Sequence, residues 1–551
     1  MTNRNRVDLL LLAGFCAFLF FYGLGQFGLI GADEPRYAQV AREMLERHDW
    51  VTPTLGGKPW LEKPPLYYWQ AIVAYKIFGV SDWAARLPSA VDATLLVVAI
   101  YFLLRKIAAT VALDGALIVA SCAGIVGYSR AASTDMPLAA TFSIGMFAWW
   151  SWRDRGKRIF LALFFAFIAL GTLAKGPVAP FLAAVIILLY AAAVRELRLV
   201  LKTLWLPGIL LFCIVALPWY IAVQMRNPSF FSEFIVEQNL GRFSHNLYHH
   251  VQPFWYYLPV AGLALVPWTV FMVAAFIRAI QRWRSNREPA AEAERNKGAN
   301  LEADLKGQFG LFAGCWLIVP VAFFSASESK LPGYILPAIP AAGLLLAIYL
   351  LQHFQTQESE PPPKALVVLH AFVASAPIIP ALLIAYLVIQ HRLPPGRPLV
   401  SAIVIASVLG IGTILTLLRK NGFRMLRFVT LISVVLTIAA VLKLGSSAID
   451  RTMSARPVAR ELASMETRQL PLAVYHVRRE LEYGLTFYRN QFVIDYAWGR
   501  IPPQEHLLVA TEDSQLEVAK LVPGRRVSFL GEYAPQHVDF FWISAATNPE
   551  P

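Results

Sequence analysis

The sequence predicts a polytopic α-helical membrane protein that ends in a small soluble α/β domain. Hydrophobic residues make up 57% of the chain and charged residues 15%, against roughly 45–50% and about 25% in soluble domains. The mean hydropathy is +0.51. A bilayer core offers the backbone no hydrogen-bond partners, so apolar runs of this kind are expected to be helical. Residues 446–551 are polar enough to form a separate domain.

Apolar runs that could cross a bilayer recur throughout residues 1–445, which we predict to be the membrane domain. A span takes about 20 residues. We predict about thirteen spans, near 8–30, 85–104, 107–127, 136–152, 159–175, 177–194, 203–223, 254–279, 308–325, 333–352, 365–389, 398–418 and 425–445.

The charges of the loops between these spans predict the orientation. The loops on one side are basic, for example "RDRGKR" at 153–158 and "RKNGFRMLR" at 419–427, and the positive-inside rule makes them cytoplasmic. An odd number of spans then places residues 446–551 outside, in the periplasm of a cell with an outer membrane. We therefore assign the formal charge of +13 to loop anchoring and to anionic lipids of the bilayer, and not to a nucleic-acid partner.

The loops on the external side carry the distinctive polar residues. The first of them, 31–84, is long, and its residues 34–48 and 66–79 have the patterns of two interfacial helices. Polar groups in membrane proteins gather where a cavity meets the bilayer, so this face is the predicted functional face. The C-terminal segment holds five β-like runs, "LAVYHV", "FVIDY", "LLVAT", "RVSFL" and "DFFWIS", which predict a small α/β domain.

Asp33 is the leading candidate catalytic residue. It lies with Glu34 before Pro35 at the start of an amphipathic helix, where an N-cap with first-turn acids is a sufficient local explanation. The functional alternative is a carboxylate at the mouth of an external cavity, one helical step from Arg36, that accepts a proton or orients the nucleophile.

Basic residues recur on the same face, and each has a structural alternative. Glu62 and Lys63 fit a solvated turn, Arg130 and Asp135 fit an ion pair, and Lys175, Lys330 and Arg242 fit interfacial anchors. Taken together, five external loops present Lys or Arg at headgroup height, which suits the phosphate of a lipid.

A divalent metal, zinc or magnesium, is a further candidate. His245 and the nearby histidines of "SHNLYHHVQPFWYY" could bind it together with Glu62, since His and carboxylate side chains are usual zinc ligands. The alternative is that these histidines are polar interfacial residues.

Several of these motifs carry a family resemblance. The stretches "ADEPRYAQVAREML", "EKPPLYYW", "STDMP", "AKGP" and "SKLPGYILP" resemble those of the bacterial GT-C fold glycosyltransferases of the dolichyl-phosphate-mannose and protein-mannosyltransferase type. Within that class the chain most resembles the lipid A 4-amino-4-deoxy-L-arabinose transferases. These are expected to have a histidine beside the glutamate of the "VEQN" segment, where this chain has Gln238 and Asn239.

The resemblance implies a polyprenyl-phosphate-sugar-dependent transferase of the inner membrane that inverts the anomeric centre. The donor would be an undecaprenyl-phosphate-linked sugar and the acceptor a lipid A phosphate or another envelope glycan, with polymyxin resistance as the result. By motif position, the implied catalytic residues are Asp33 and Asp135. The implied substrate and phosphate ligands are Arg36, Glu62, Lys63, Lys175, Arg242, Lys330 and Tyr334. We predict Arg130, on the same external face, as a further ligand.

Two alternatives remain open from the sequence. One keeps the donor but transfers the sugar to protein or to another glycan. The other is a lipid or solute transporter, although transporters tend to place ionisable groups near the bilayer midplane and to show repeated halves.

Overall fold

The computed structural model describes residues 3–107, 109–241, 252–285, 297–355, 363–383, 396–419, 425–499 and 501–546. Helices dominate the first 465 residues. They are α1 Asn3–Cys16, α2 Asp33–Glu46, α3 Leu66–Phe78, α4 Asp82–Ile107, α5 Ala112–Ser121, α6 Ala123–Ser129, α7 Asp135–Arg155, α8 Arg158–Lys175, α9 Val178–Ala193, α10 Arg198–Thr203, α11 Leu206–Arg226, α12 Tyr257–Ala264, α13 Thr269–Ser285, α14 Lys297–Ala326, α15 Ile339–Gln355, α16 Lys364–Ser375, α17 Gly396–Leu417, α18 Leu426–Ala440, α19 Ser446–Met453 and α20 Arg456–Met465.

The predicted polytopic helical architecture is confirmed, while the exact number of spans stays a prediction. Eight helices among the described residues are long and apolar enough to cross a membrane, and ten spans result if each of two bent pairs counts as one. The other predicted spans, near 8–30, 136–152 and 177–194, coincide with α1, α7 and α9, which are shorter or less apolar. Helical structure in the first of them ends at Phe21.

Two predicted spans are broken by sharp bends. Between α5 and α6 the axis turns by 63°, because Cys122 takes an extended conformation between the two helices. Between α12 and α13 it turns by 114°, next to Pro267, which has no N–H to continue a helical ladder. Hydropathy alone does not register such bends, since both halves of each pair are apolar.

The first long loop, residues 31–84, folds into two helices and a small hairpin. Its α2 and α3 confirm the two predicted helices, and β1 Thr54–Leu55 pairs with β2 Lys58–Pro59. The apolar stripe of α2 packs on α3 together with Phe487 from the C-terminal segment. The N-cap residue is Ala32, with no side-chain cap bond, so Asp33 and Glu34 are first-turn acids and not caps.

The C-terminal segment forms a five-stranded sheet, and all five predicted strand runs are strands. They are β3 Leu472–Tyr475, β4 Ile494–Asp495, β5 His506–Thr511, β6 Val527–Tyr533 and β7 Val538–Ile543. The order is β4-β3-β5-β7-β6, parallel at β4-β3-β5 and antiparallel at β5-β7-β6. Helices α21 Arg479–Arg489 and α22 Gln515–Leu521 join the strands.

The α7–α8 hairpin connects the two ends of the helical bundle. Asp135 begins α7, the chain turns after Arg155, and α8 returns to end at Lys175. The 21 residues of α7 correspond to about 31 Å at 1.5 Å per residue, which is close to the ~30 Å of a bilayer hydrocarbon core. Asp135 and Lys175 therefore lie at one end of the hairpin and the turn lies at the other.

Candidate functional site

The first component of the site is an ion pair at the start of α2. The Arg36 guanidinium pairs with Asp33, whose side chain is 54% exposed. Arg36 lies over the rings of Tyr37, Trp60 and Tyr483, at 5.3, 5.1 and 5.5 Å. Burial opposes the charge on Arg36, but its acidic neighbours, Tyr37 first and then Asp33 and Glu62, outweigh that cost and raise its pKa. Arg36 is thus a fixed cation beside an accessible carboxylate.

The adjacent carboxylate is held in a different way. Glu34 is buried and receives two hydrogen bonds from Arg86, at 3.0 and 2.6 Å. Its oxygens also accept the backbone N–H groups of Ala132, at 2.7 Å, and Ile30, at 2.8 Å. Arg86 donates further to the carbonyls of residues 24, 27 and 28. This cluster joins the first loop to α4 and to the turn before α7, and it is structural.

A second carboxylate–cation pair lies between the start of α7 and the end of α8. Lys175 Nζ pairs with Asp135 and lies 4.5 Å from the centre of the Tyr334 ring. The other oxygen of Asp135 accepts a hydrogen bond of 2.9 Å from the Ser133 hydroxyl. The α7–α8 packing therefore holds a carboxylate and an ammonium group side by side, and both stay partly accessible.

The two pairs face a common region that contains Tyr128. The charges of Asp135 and Asp33 both act on the Tyr128 hydroxyl. A side chain at Gly333 would meet that hydroxyl at 2.6 Å and Asp135 Cγ at 2.8 Å. Glycine is therefore required at this position, because the turn before Tyr334 passes directly over both groups.

Glu62 and Lys63 lie beside the Asp33 pair. The charge of Glu62 acts on Arg36 and on the hydroxyls of Tyr37 and Tyr68. Lys63 is buried, and its ammonium donates to the Glu62 carbonyl at 3.3 Å. The "EKPP" turn thus places one further carboxylate and one further ammonium group next to the start of α2.

Two of the predicted phosphate ligands are bound to backbone carbonyls. Arg130 donates to the carbonyls of Leu19 and Tyr22, each at 2.9 Å, and burial together with the charge of Arg86 lowers its pKa to about 10. It does not form the alternative ion pair with Asp135, which pairs with Lys175. Lys330 is buried and folds back onto the Ser327 carbonyl, so it does not extend to the surface. Their roles as ligands stay predictions.

One predicted phosphate ligand and the predicted metal site depend on residues that the structure does not describe. Arg242 and His245 lie outside the described residues. Among the described residues, no group of three or more His, Cys, Asp or Glu side chains could hold a metal ion. Glu62 is described, but its partner His245 is not, so the metal site stays a prediction.

Three aromatic residues near Arg36 were not predicted as site residues. Trp60 lies before α3 and Tyr68 within it, both in the "KPWLEKPPLYYW" stretch. The Tyr68 hydroxyl is buried and has no hydrogen-bond partner among the residues that the structure describes. Tyr483 comes from α21 of the C-terminal segment, and no local pattern links it to Arg36.

The helical architecture and its likeness to a solved structure define the fold of the protein, which is the GT-C fold of membrane proteins. Residues 7–233 match the family model of dolichyl-phosphate-mannose-protein mannosyltransferase. The chain superposes on the crystal structure of ArnT from Cupriavidus metallidurans bound to undecaprenyl phosphate with a TM-score of 0.75 and 23% identity, over 97% of both chains. The apo structure of the same protein gives a TM-score of 0.74 and 22% identity, over 98% of both chains.

More particularly, the chain is similar to undecaprenyl phosphate-α-4-amino-4-deoxy-L-arabinose arabinosyl transferases. The protein of this name from Pseudomonas paraeruginosa is 31% identical over 363 residues, which are 65% of this chain and 62% of that protein. The one from Serratia proteamaculans is 29% identical over 62% of this chain and 58% of its own length. The matched region thus spans about three-fifths of these relatives. The resemblance to the GT-C transferases, and to this branch of them, is confirmed.

Proposed function

We propose that the protein transfers a sugar from an undecaprenyl-phosphate donor to a lipid A phosphate or a related envelope acceptor. The observation that carries the proposal is the presence of two carboxylate–cation pairs, Asp33–Arg36 and Asp135–Lys175, whose acids both act electrostatically on the Tyr128 hydroxyl. The names of the relatives at 29–31% identity support the donor and the sugar class. The bilayer is the environment in which both lipid substrates would meet this site.

The cations account for the departure of the lipid phosphate. When the bond between the anomeric carbon and the phosphate oxygen breaks, negative charge grows on the phosphate. Lys175 and Arg36, which the fold already holds in place, would stabilise that charge more in the transition state than in the ground state. Lys63, next to Glu62 in the chain, would contribute in the same way.

The exposed carboxylate, Asp33, would act on the acceptor. Asp33 is the more accessible of the two acids, so an incoming acceptor can reach it. With a hydroxyl acceptor, Asp33 would take the proton as general base. With a phosphate acceptor, which is already anionic, it would orient the nucleophile or stabilise positive charge on the sugar. Attack opposite to the leaving phosphate inverts the anomeric centre.

We further propose that the site faces the periplasm from the inner membrane. The far turn of the α7–α8 hairpin is the basic stretch 153–158, which the positive-inside rule places in the cytoplasm. Asp135 and Lys175 at the other end would then be periplasmic. In this arrangement residues 1–445 form the transferase domain and residues 446–551 an external domain that contributes Tyr483.

Mass spectrometry of lipid A from cells with and without the protein tests the function. We expect an aminopentose on a lipid A phosphate that is absent both without the protein and with an Asp33→Asn variant expressed at the same level. Identical lipid A in the presence and absence of the protein would contradict a lipid A acceptor.

A protein or glycan acceptor is the second candidate. The match of residues 7–233 to a protein mannosyltransferase model favours it specifically. Glycoproteomics on the same strains distinguishes the two candidates, because a protein acceptor predicts a new glycopeptide mass and unchanged lipid A.

A further inference from the structure

We propose that a pocket at the opposite end of the α7–α8 hairpin binds the phosphate headgroup of an anionic phospholipid. The cavity measures about 540 Å³. It lies between the end of α7, the start of α8 and the segment 196–205 around α10. Because α7 runs from Asp135 to this pocket, the pocket and the candidate transferase site lie on opposite membrane faces.

The charge of the lining selects an anion. Three cations line the pocket against one carboxylate: they are Arg153, Arg158 and Lys202, and the acid is Glu196. Lys202 and Glu196 are 3.2 Å apart, but both side chains are about half exposed. Their mutual attraction is therefore weak and does not prevent Lys202 from binding an anion. Cations in this number at headgroup height attract anionic lipids.

Arg153 is fixed in place and retains an unused donor. Its guanidinium bonds Gln308 and lies over the rings of Trp150 and Tyr190, at 5.2 and 5.4 Å. Its Nε is buried and has no hydrogen-bond partner in the part of the chain that the structure describes. A rigid guanidinium of this kind suits recognition of phosphate oxygens.

The surroundings of the pocket favour a lipid over a free phosphate ion. Trp152 and Trp205 are part of the lining, and tryptophan is enriched at headgroup level in membrane proteins. Leu201, Leu204 and Leu206 lie beside it and are 69%, 61% and 65% exposed. These leucines present an apolar surface for acyl chains next to a polar surface for a headgroup.

The test is native mass spectrometry of the full-length protein in detergent, titrated with dioleoyl-phosphatidylglycerol and, separately, with phosphatidylcholine. The variant is Arg158→Gln/Lys202→Gln. The matched control is Arg155→Gln/Lys157→Gln, which removes the same charge from positions next to Arg158 that lie outside the lining. At about 1 kcal/mol per cation near the surface, the variant should bind phosphatidylglycerol about 30-fold more weakly. The control should bind it like the wild type.

Three outcomes would overturn the proposal. Equal weakening in the variant and the control would mean that net loop charge, and not this pocket, holds the lipid. Binding of phosphatidylcholine as tight as that of phosphatidylglycerol would show that the pocket does not require an anionic headgroup. Displacement by millimolar inorganic phosphate would identify a free-anion site. If the double variant does not fold, Lys202→Gln alone, on an exposed side chain, should weaken binding about fivefold.

Discussion

Two ion pairs begin at adjacent residues of the chain, Asp33–Arg36 and Glu34–Arg86, and their environments are opposite. The side chains of Glu34 and Arg86 are 8% and 1% exposed, and both Glu34 oxygens accept hydrogen bonds from side chain and backbone donors. Asp33 is 54% exposed. Among the residues that the structure describes, its ion-pair partner is Arg36. A carboxylate with every bonding position filled supports the fold, whereas one that solvent can reach is available for a substrate.

The contrast follows from position on the first turn of α2. Successive residues of a helix point about 100° apart, so one acid turns toward α4 and the other toward the outer surface. Substitutions at the two positions should therefore separate stability from activity.

The largest expected effect is on stability at Glu34. Glu34→Ala leaves the buried Arg86 without its counter-charge, which typically costs about 3–5 kcal/mol. We expect a strong loss of folded protein or a much lower midpoint in thermal unfolding in detergent. Asp33→Ala, the matched control, should change the free energy of unfolding by less than about 1 kcal/mol. Similar losses of stability in the two variants would contradict the distinction between a structural Glu34 and an available Asp33.

The next effect is on catalysis at Lys175. Lys175→Met removes a cation from the proposed phosphate site and should lower kcat about 10²–10³-fold. Because it also leaves Asp135 unpaired, thermal unfolding is compared between Lys175→Met and the double variant Asp135→Asn/Lys175→Met, which shows how much of the loss comes from the fold. The double variant should regain any lost stability and remain inactive, since it lacks both members of the pair. Recovered sugar transfer in the double variant would show that the pair acts only through the fold.

A smaller effect is expected at Tyr483. Tyr483→Leu removes one of three rings around Arg36, an interaction of about 0.5–1 kcal/mol, so sugar transfer should fall about two- to fivefold with unchanged thermal unfolding. Tyr483→Phe keeps the ring and should transfer sugar at nearly the wild-type rate. A loss in the Phe variant as large as in the Leu variant would point to the hydroxyl and not to the ring.

Local patterns predicted the elements well. The alternation of apolar residues between turns predicted all five C-terminal strands, and the apolar stripe of residues 34–48 predicted α2. The motifs also identified Asp33, Arg36, Asp135 and Lys175, which the fold brings into two pairs. These results depend on short sequence intervals, over which periodicity and charge are informative.

Long-range contacts could not be predicted in this way. Glu34 and Arg86 are 52 positions apart, and Arg130 reaches a carbonyl 111 positions away. Arg130, which we predict as a phosphate ligand, bonds the carbonyls of Leu19 and Tyr22 after α1, and no local pattern indicates these contacts. The bends after α5 and α12 and the approach of Tyr483 to Arg36 likewise depend on tertiary packing.

The most direct test of the catalytic role of Asp33 is sugar transfer by purified Asp33→Asn protein from a polyprenyl-phosphate donor. The substitution keeps the shape of the side chain and removes its charge and basicity. We predict a fall in turnover of at least about 100-fold with thermal unfolding like that of the wild type. Near-normal turnover by the folded variant would contradict the catalytic role of Asp33 and the distinction between the two acids.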